Sequence, residues 1–219
     1  MTIFPTKDEV ITAVLNGISN AKKNYTFWTA DELYLSYAPP KFLSIHVAQE
    51  IGKLQNAPEI FIDATIADIL RCSLPNRTDF KDFMKSKYIM DRYLCLTLDE
   101  RFTHKSDNDS VSKVIMCLKN GVRNVQEEYR NDVDVMCKML ERENKNDSTL
   151  DYGIFGFYLD ISSSASKDAK ERLDNSNEAY DKIVSSYKNL KSSFKGGEIK
   201  KIDKVGEWCI GCYVIEHTL

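Results

Sequence analysis

Two stretches in the middle of the chain carry the residues whose type and spacing could do hydrolytic chemistry. Asp91 lies in residues 88–98, which are predicted to form a long strand, and Lys119 ends residues 113–119, the predicted second arm of a hairpin. Metal-dependent nucleases use a carboxylate on one such strand and an acid two residues before a lysine on the next, because side chains two apart share a face. The acids hold a divalent cation and the lysine steadies the attacking water.

The position two residues before Lys119 is occupied by a cysteine where such a site needs an acid. Cys117 lies between Met116 and Leu118, and a buried thiol is a poor ligand for a hard cation such as Mg²⁺. The alternative is that Lys119 simply ends an edge or core strand and that Asp91 is a surface charge.

The elements that must position these residues begin with helices. Thr6-Lys7-Asp8-Glu9 is a capping box that predicts a first helix, and a second is expected over residues 41–54. Residues 59–62 suggest a short strand, Asp63 could cap a brief helix through Leu70, and residues 79–87 are expected to be helical.

A helix and three further strands are predicted after the hairpin, together with a long polar helix. Asn124 is the expected N-cap of a helix to Glu141, and the apolar run over residues 152–159 predicts a strand covered on both faces. The polar helix should end near Phe194, before two closing strands over residues 198–202 and 207–216. The middle of the chain is thus ordered helix, strand, strand, helix, strand, in a mixed α/β fold.

The cysteines do not predict redox chemistry. Cys209-Ile210-Gly211-Cys212 matches a redox motif in spacing, but that motif needs a helix N-terminus to lower the thiol pKa. Here the run is predicted as a strand, in which the two thiols point to opposite faces. We expect buried free thiols that pack as small apolar side chains.

Composition narrows the class of protein further. The chain has 219 residues with 30 Lys+Arg against 33 Asp+Glu, a net charge of −3. We expect a single domain over residues 1–219, with an N-terminal helix and aromatic linker at 1–38 and a core at 39–219. The longest apolar run is too short for a membrane span and the charged N-terminus does not suit a signal peptide, so we expect a cytoplasmic protein without a membrane partner.

Several segments resemble an uncharacterised bacterial and phage family with a restriction-endonuclease-like, PD-(D/E)xK, fold. The resemblance covers residues 8–215. It rests on Trp28-Thr29, on Ala38-Pro39-Pro40-Lys41-Phe42-Leu43, on the apolar strand at residues 152–158 and on Glu207-Trp208-Cys209-Ile210. It implies a central mixed sheet flanked by helices, with an N-terminal helical segment.

The chain departs from that family at the catalytic motif. The family's Glu-x-Lys-Asn is Cys117-Leu118-Lys119-Asn120 here, and the catalytic Asp position holds Leu94, or Asp91 if the register shifts by three residues. Some nucleases of this fold take an acid from the following helix, which would make Glu127 or Glu128 a substitute; Glu50 on the second helix is another.

Three hypotheses about function follow. The leading one is a catalytically degenerate nuclease-like protein that needs no cofactor and acts by binding a partner, in phage–bacterium defence or counter-defence as the resemblance suggests. The rival is an active Mg²⁺-dependent DNA endonuclease that uses Asp91 as metal ligand with Lys119 and Glu128. The third is a structural homodimer formed through the aromatic-rich N-terminal segment or through the terminal strand as a sheet edge.

The charge balance favours a protein over DNA as the partner. DNA binding draws on contacts between Lys or Arg and phosphate, and a chain of net charge −3 carries no overall excess of them. Local basic clusters exist, and they are usually solvated faces; they comprise Lys81, Lys85 and Lys87 in one group and Lys188, Lys191, Lys195, Lys200 and Lys201 in another.

Overall fold

A mixed β-sheet with helices on both faces is the frame that positions the central hairpin. The computed structural model describes residues 4–30, 34–100 and 110–218, and these residues form six α-helices and seven strands. The helices are α1 (Lys7–Trp28), α2 (Pro40–Ile51), α3 (Ile66–Ser73), α4 (Phe80–Ser86), α5 (Glu127–Leu140) and α6 (Ala169–Val184). The strands are β1 (Glu59–Thr65), β2 (Tyr93–Glu100), β3 (Val111–Asn120), β4 (Tyr152–Ser162), β5 (Leu190–Gly196), β6 (Lys200–Ile202) and β7 (Gly206–His217). The predicted mixed α/β class is confirmed.

The strand order places the start of β2 beside the end of β3, and β4 alongside β3 on the other side. Along the sheet the order is β1-β2-β3-β4-β7-β5, and β6 also pairs with β7. β3 and β4 are parallel, with α5 in the crossover between them, and the other neighbouring strands are antiparallel. Lys119 is therefore beside Phe157, next to the end of β3 and in the middle of β4, and Tyr93 begins β2 at the end of the sheet where β3 ends.

Two apolar clusters cover the two faces of this sheet. One is formed with α3, α5 and α6 and includes Ile115 and Cys117 of β3. The other is formed with α1 and α2 and includes Met116 and Leu118. Strands buried on both faces need apolar side chains at every position, which explains the continuous apolar run of β4.

The chain before β2 differs from its prediction, because β2 begins at Tyr93 and leaves Asp91 outside the strand. Tyr88 has a left-handed backbone with φ of 53°, and Ile89 packs into the α3–α5–α6 cluster. Residues 88–92 thus form a connection along the helical layer instead of extending the hairpin.

Two predicted helix caps are wrong for related reasons. Asp63 lies in β1 and forms an ion pair with Lys41, while the hydroxyl of Thr65 caps α3 by accepting from Asp68 N at 3.1 Å. Asn124 precedes α5 by three residues and accepts a hydrogen bond from Arg172. In both cases the side chain that the local pattern predicts as a helix cap pairs instead with a lysine or arginine that is distant in the sequence.

The predicted long polar helix is also too long by ten residues. α6 ends at Val184, and β5 follows from Leu190 after Asn189, which adopts a left-handed conformation with φ of 61°. In β5, Lys191, Ser193 and Lys195 are exposed and alternate with less exposed residues, the period of two that marks a strand.

The C-terminal strand is an interior strand. β7 pairs with β4 on one side and with β5 and β6 on the other, so the prediction that it could serve as a sheet edge is wrong. Its closing hairpin with β6 is present as expected. Cys209 and Cys212 face the two opposite apolar clusters as free, buried thiols, which confirms the strand interpretation of that motif.

Candidate functional site

Lys119 is held by two acidic side chains of α5. Its Nζ lies 2.5 Å from Glu128 Oε1 and 2.8 Å from Asp132 Oδ2, and 5.5 Å from the ring centroid of Tyr129. Glu128 and Asp132 are four residues apart and share one face of the helix. Burial by itself would lower the pKa of Lys119, but the hydrogen bonds and charges of the two acids outweigh it and raise the pKa. The lysine is therefore a fixed cation.

Arg92, Lys119, Glu128 and Asp132 form a charged cluster with Asp132 at its centre. Its side chain is only 5% exposed, and its second oxygen, Oδ1, lies 2.7 Å from Arg92 Nη1. Each carboxylate oxygen of Asp132 thus has its own cation. With Glu128 the cluster contains two positive and two negative charges and is neutral, so neither Lys119 nor Arg92 presents an unbalanced charge to a ligand.

Two positions at which the sequence motif would place carboxylates are buried and apolar: Cys117, and Leu94 in the register that does not use Asp91. Leu94 and Cys117 are 2% and 3% exposed and belong to the apolar cluster on the Lys119 side of the sheet. Burial raises the pKa of the Cys117 thiol well above its usual range, which keeps it neutral. Within the described ranges, no three His, Cys, Asp or Glu side chains are grouped to hold a metal ion. Leu94 offers no ligand atom and Cys117 offers only a thiol, whereas Mg²⁺ prefers carboxylate oxygens.

The residues predicted for an active nuclease are only partly brought together. Lys119 and Glu128 are in direct contact, whereas the exposed Asp91 accepts a hydrogen bond at 3.0 Å from the backbone N–H of Ala67, in the first turn of α3. In the described part of the chain, no hydrogen bond or ion pair joins Asp91 to Lys119 or Glu128. Asp91 therefore acts as a partner for the start of α3.

The residue that sequence reasoning missed is Asp132. It lies four residues after Glu128 and three after Tyr129, next to the apolar stripe that continues through Val133 and Met136. An acid bordering a buried helix face needs a cationic partner. The position of Asp132 beside the apolar stripe therefore predicts a cationic partner, but the sequence does not identify which lysine or arginine it is.

A second ion pair, in which only the carboxylate is buried, lies beyond the end of β3. Asp160 of β4 is fully buried and accepts two hydrogen bonds from Arg123, at 3.0 and 3.1 Å, and one from Ser36 at 2.8 Å. Asn120 donates to the carbonyl oxygen of Ala38 at 2.5 Å. Together these bonds fasten the 3-10 turn Leu35–Tyr37 over the ends of β3 and β4. The asparagine of the Lys-Asn pair thus has a structural partner.

Comparisons with known proteins return no relatives: no family model matches the chain, and neither a curated protein nor a solved structure shows significant similarity to it. In the part of the chain that the structure describes, no helix has both the length and the apolar character needed to span a bilayer.

Proposed function

We propose that this protein is a nuclease-like scaffold that has lost its metal-dependent hydrolytic site and acts by binding a protein partner. The proposal rests on the burial and the ion pairs of the residues around Lys119. Of the two positions open to the first carboxylate, Leu94 is buried and apolar and Asp91 accepts a hydrogen bond at the start of α3 instead; Cys117 is buried where the second acid is expected, and Lys119 pairs with Glu128 and Asp132. Two carboxylates thus compete with an attacking water for the ammonium group of Lys119.

The order of elements supports the nuclease-like part of the proposal. α4, β2, β3, α5 and β4 follow one another as helix, strand, strand, helix, strand, and β3 and β4 are parallel neighbours. Lys119 ends the second strand of the antiparallel pair, as the family motif requires. The family resemblance suggests a role in phage–bacterium defence or counter-defence for such a binder.

The surface charges favour a protein over a nucleic acid as the partner. Four of the eight lysines in the basic clusters of the sequence pair with glutamates, which reduces the positive charge that these clusters offer to a ligand. These pairs are Lys87–Glu141, Lys191–Glu216, Lys200–Glu198 and Lys201–Glu207. A lysine that must give up such a pair gains less from a phosphate, and the net charge of −3 adds no general attraction.

A plasmid-nicking assay with Mg²⁺ or Mn²⁺ tests the loss of catalysis. We expect the wild-type protein to nick no more DNA than Lys119→Ala does. Lys113→Ala is the matched control, because Lys113 lies at the other end of β3 and near Glu100 and Asp151 instead. Metal-dependent cleavage that survives in Lys113→Ala and disappears in Lys119→Ala would establish the active nuclease and overturn the proposal.

A salt series tests the class of partner. Retention of labelled duplex and single-stranded DNA is measured from low to physiological salt. A protein-binding scaffold should show weak retention throughout. Tight binding at low salt that falls steeply as salt rises would identify phosphate contacts and a nucleic-acid partner.

A further inference from the structure

Arg142 is the only lysine or arginine that is buried among the described residues. It is 9% exposed and follows the end of α5. The buried acids Asp132 and Asp160 each pair with arginine or lysine side chains, but in the described part of the chain no carboxylate pairs with Arg142. A buried charge without a partner is costly, so Arg142 lacks the counter-charge that such a group needs.

Most N–H groups of the Arg142 guanidinium have no acceptor. Nη1 donates a hydrogen bond to the carbonyl oxygen of Ser148. Nε is buried without an acceptor, and Nη2 donates to no described residue. Because an arginine carries five N–H donors, the two on Nη2 remain for a ligand.

Arg142 lines a cleft of about 540 Å³, which is within the volume range of small-molecule sites. One part of its wall is apolar and consists of Leu74, Phe83 and Met139. Lys188 lies at the same cleft, is exposed, and forms no ion pair within the described ranges. We call this site the Arg142 cleft; it combines an apolar wall with two cations that have no counter-charge.

Three acids also line the cleft, and none of them forms an ion pair with the guanidinium. Glu141 pairs with Lys87 at 2.7 Å, and Asp147 accepts a hydrogen bond at 2.8 Å from the backbone N–H of Asn144. Glu143 is exposed and has no ion-pair partner among the described residues. Glu143 and Asp147 are both exposed, so water and salt screen their charges far more than they screen a buried one.

The electrostatic effects around the guanidinium are those of a cation without a bound anion. Burial lowers the pKa of Arg142, and the charges of Asp151 and Asp147 only partly offset this effect. Burial and the charge of Arg142 in turn lower the pKa of His217. The buried end of the cleft is therefore positive.

We propose that the Arg142 cleft binds a small organic carboxylate, with the carboxylate at Nη2 of Arg142 and an apolar body against Leu74, Phe83 and Met139. The carboxylate supplies the missing counter-charge and accepts the free N–H groups, and such charge-assisted hydrogen bonds are among the strong ones. Lys188 adds a second positive charge at the cleft. For a ligand of about ten non-hydrogen atoms, we expect a dissociation constant on the order of 1 mM.

Isothermal titration calorimetry with phenylacetate tests the ligand class. Phenylacetamide has the same shape without the charge, and inorganic phosphate has the charge without the apolar body. We expect wild type to bind phenylacetate, to bind the other two much more weakly, and to lose phenylacetate binding in Arg142→Gln. If the guanidinium serves only the carbonyl ends of the helices around the cleft, phenylacetate will not bind. That result, or equal binding of phenylacetamide or phosphate, would overturn the proposal.

Substitution of an exposed residue keeps the test independent of folding, because Arg142→Gln alters a buried side chain. Lys188→Glu should weaken phenylacetate binding by roughly tenfold, since it replaces a positive by a negative charge at the cleft. Lys195→Glu is the matched control, because Lys195 is an exposed lysine of β5 that does not line the cleft. Circular dichroism spectra should be unchanged in both variants. Phenylacetate binding that Lys188→Glu and Lys195→Glu leave equally strong would refute this location.

Discussion

Replacing Asp132 by asparagine removes the charge that holds Lys119 and Arg92 together while keeping the shape of the side chain. Asp132 is 5% exposed at its side chain, whereas Lys119 and Arg92 are 21% and 30% exposed. Loss of one partner from a buried ion pair costs about 3–5 kcal/mol, because the remaining charge stays buried and unpaired. The two cations here keep some access to water, so we expect Asp132→Asn to lower the free energy of unfolding by about 2–4 kcal/mol.

Glu128→Gln is the matched control for this substitution. Glu128 contacts the same lysine but its side chain is 63% exposed, and exposed ion pairs contribute about 0–1 kcal/mol. Urea unfolding followed by far-ultraviolet circular dichroism measures both variants. The midpoint should shift much further for Asp132→Asn than for Glu128→Gln, with the slope of free energy against urea unchanged.

A double-mutant cycle isolates the pairwise interaction. In a Lys119→Met background, Asp132→Asn should cost less than it does in the wild type, because one of the two cations has already been removed. Equal costs for Asp132→Asn and Glu128→Gln, or additive costs in the cycle, would show that Asp132 is not the centre of the cluster.

Two further predictions concern the α1–α2 crossing and the acid limit of stability. Alanine is normally the better helix former, but at Gly17 its Cβ would lie 2.5 Å from Val47 Cα, so Gly17→Ala should destabilise by about 1–3 kcal/mol in urea unfolding. The exposed neighbour Asn16→Ala should change little, and a stabilised Gly17→Ala would contradict the close approach. Burial alone would raise the pKa of Glu216, but the hydrogen bond and charge of Lys7 outweigh it and lower the pKa from its ordinary 4.5. Its contribution to stability is therefore present above about pH 4.5 and lost as the pH falls through the folded-state pKa. Glu216→Gln should flatten the acid side of the stability curve, and an unchanged pH profile would refute this assignment.

Local patterns predicted the elements that carry the candidate site. The hairpin arm that ends at Lys119, the strand from Tyr152 and the capping box at Thr6 are all present. These features depend on residues that are neighbours in the sequence. A strand covered on both faces must be continuously apolar, and a helix must cap its own first N–H groups.

Predictions were wrong where a residue distant in the sequence pairs with the side chain in question. Asp63 and Asn124 look like caps but pair with Lys41 and Arg172. Asp91 is predicted within a strand but accepts a hydrogen bond from the start of α3. In each case the deciding partner is far away in the sequence, so no local window contains the competing interaction.

The sequence by itself determined the mixed α/β class, the position of Lys119 at the end of its strand and the absence of an acid at position 117. Only the tertiary structure decided that Asp132 pairs with Lys119, that β7 is interior and that β1 is the outermost of the described strands on one side of the sheet. The physical reason is that alternation shows which side chains are buried, whereas strand order and helix placement decide which buried charges meet. Strand order and helix placement arise from pairing between segments that are distant in the sequence.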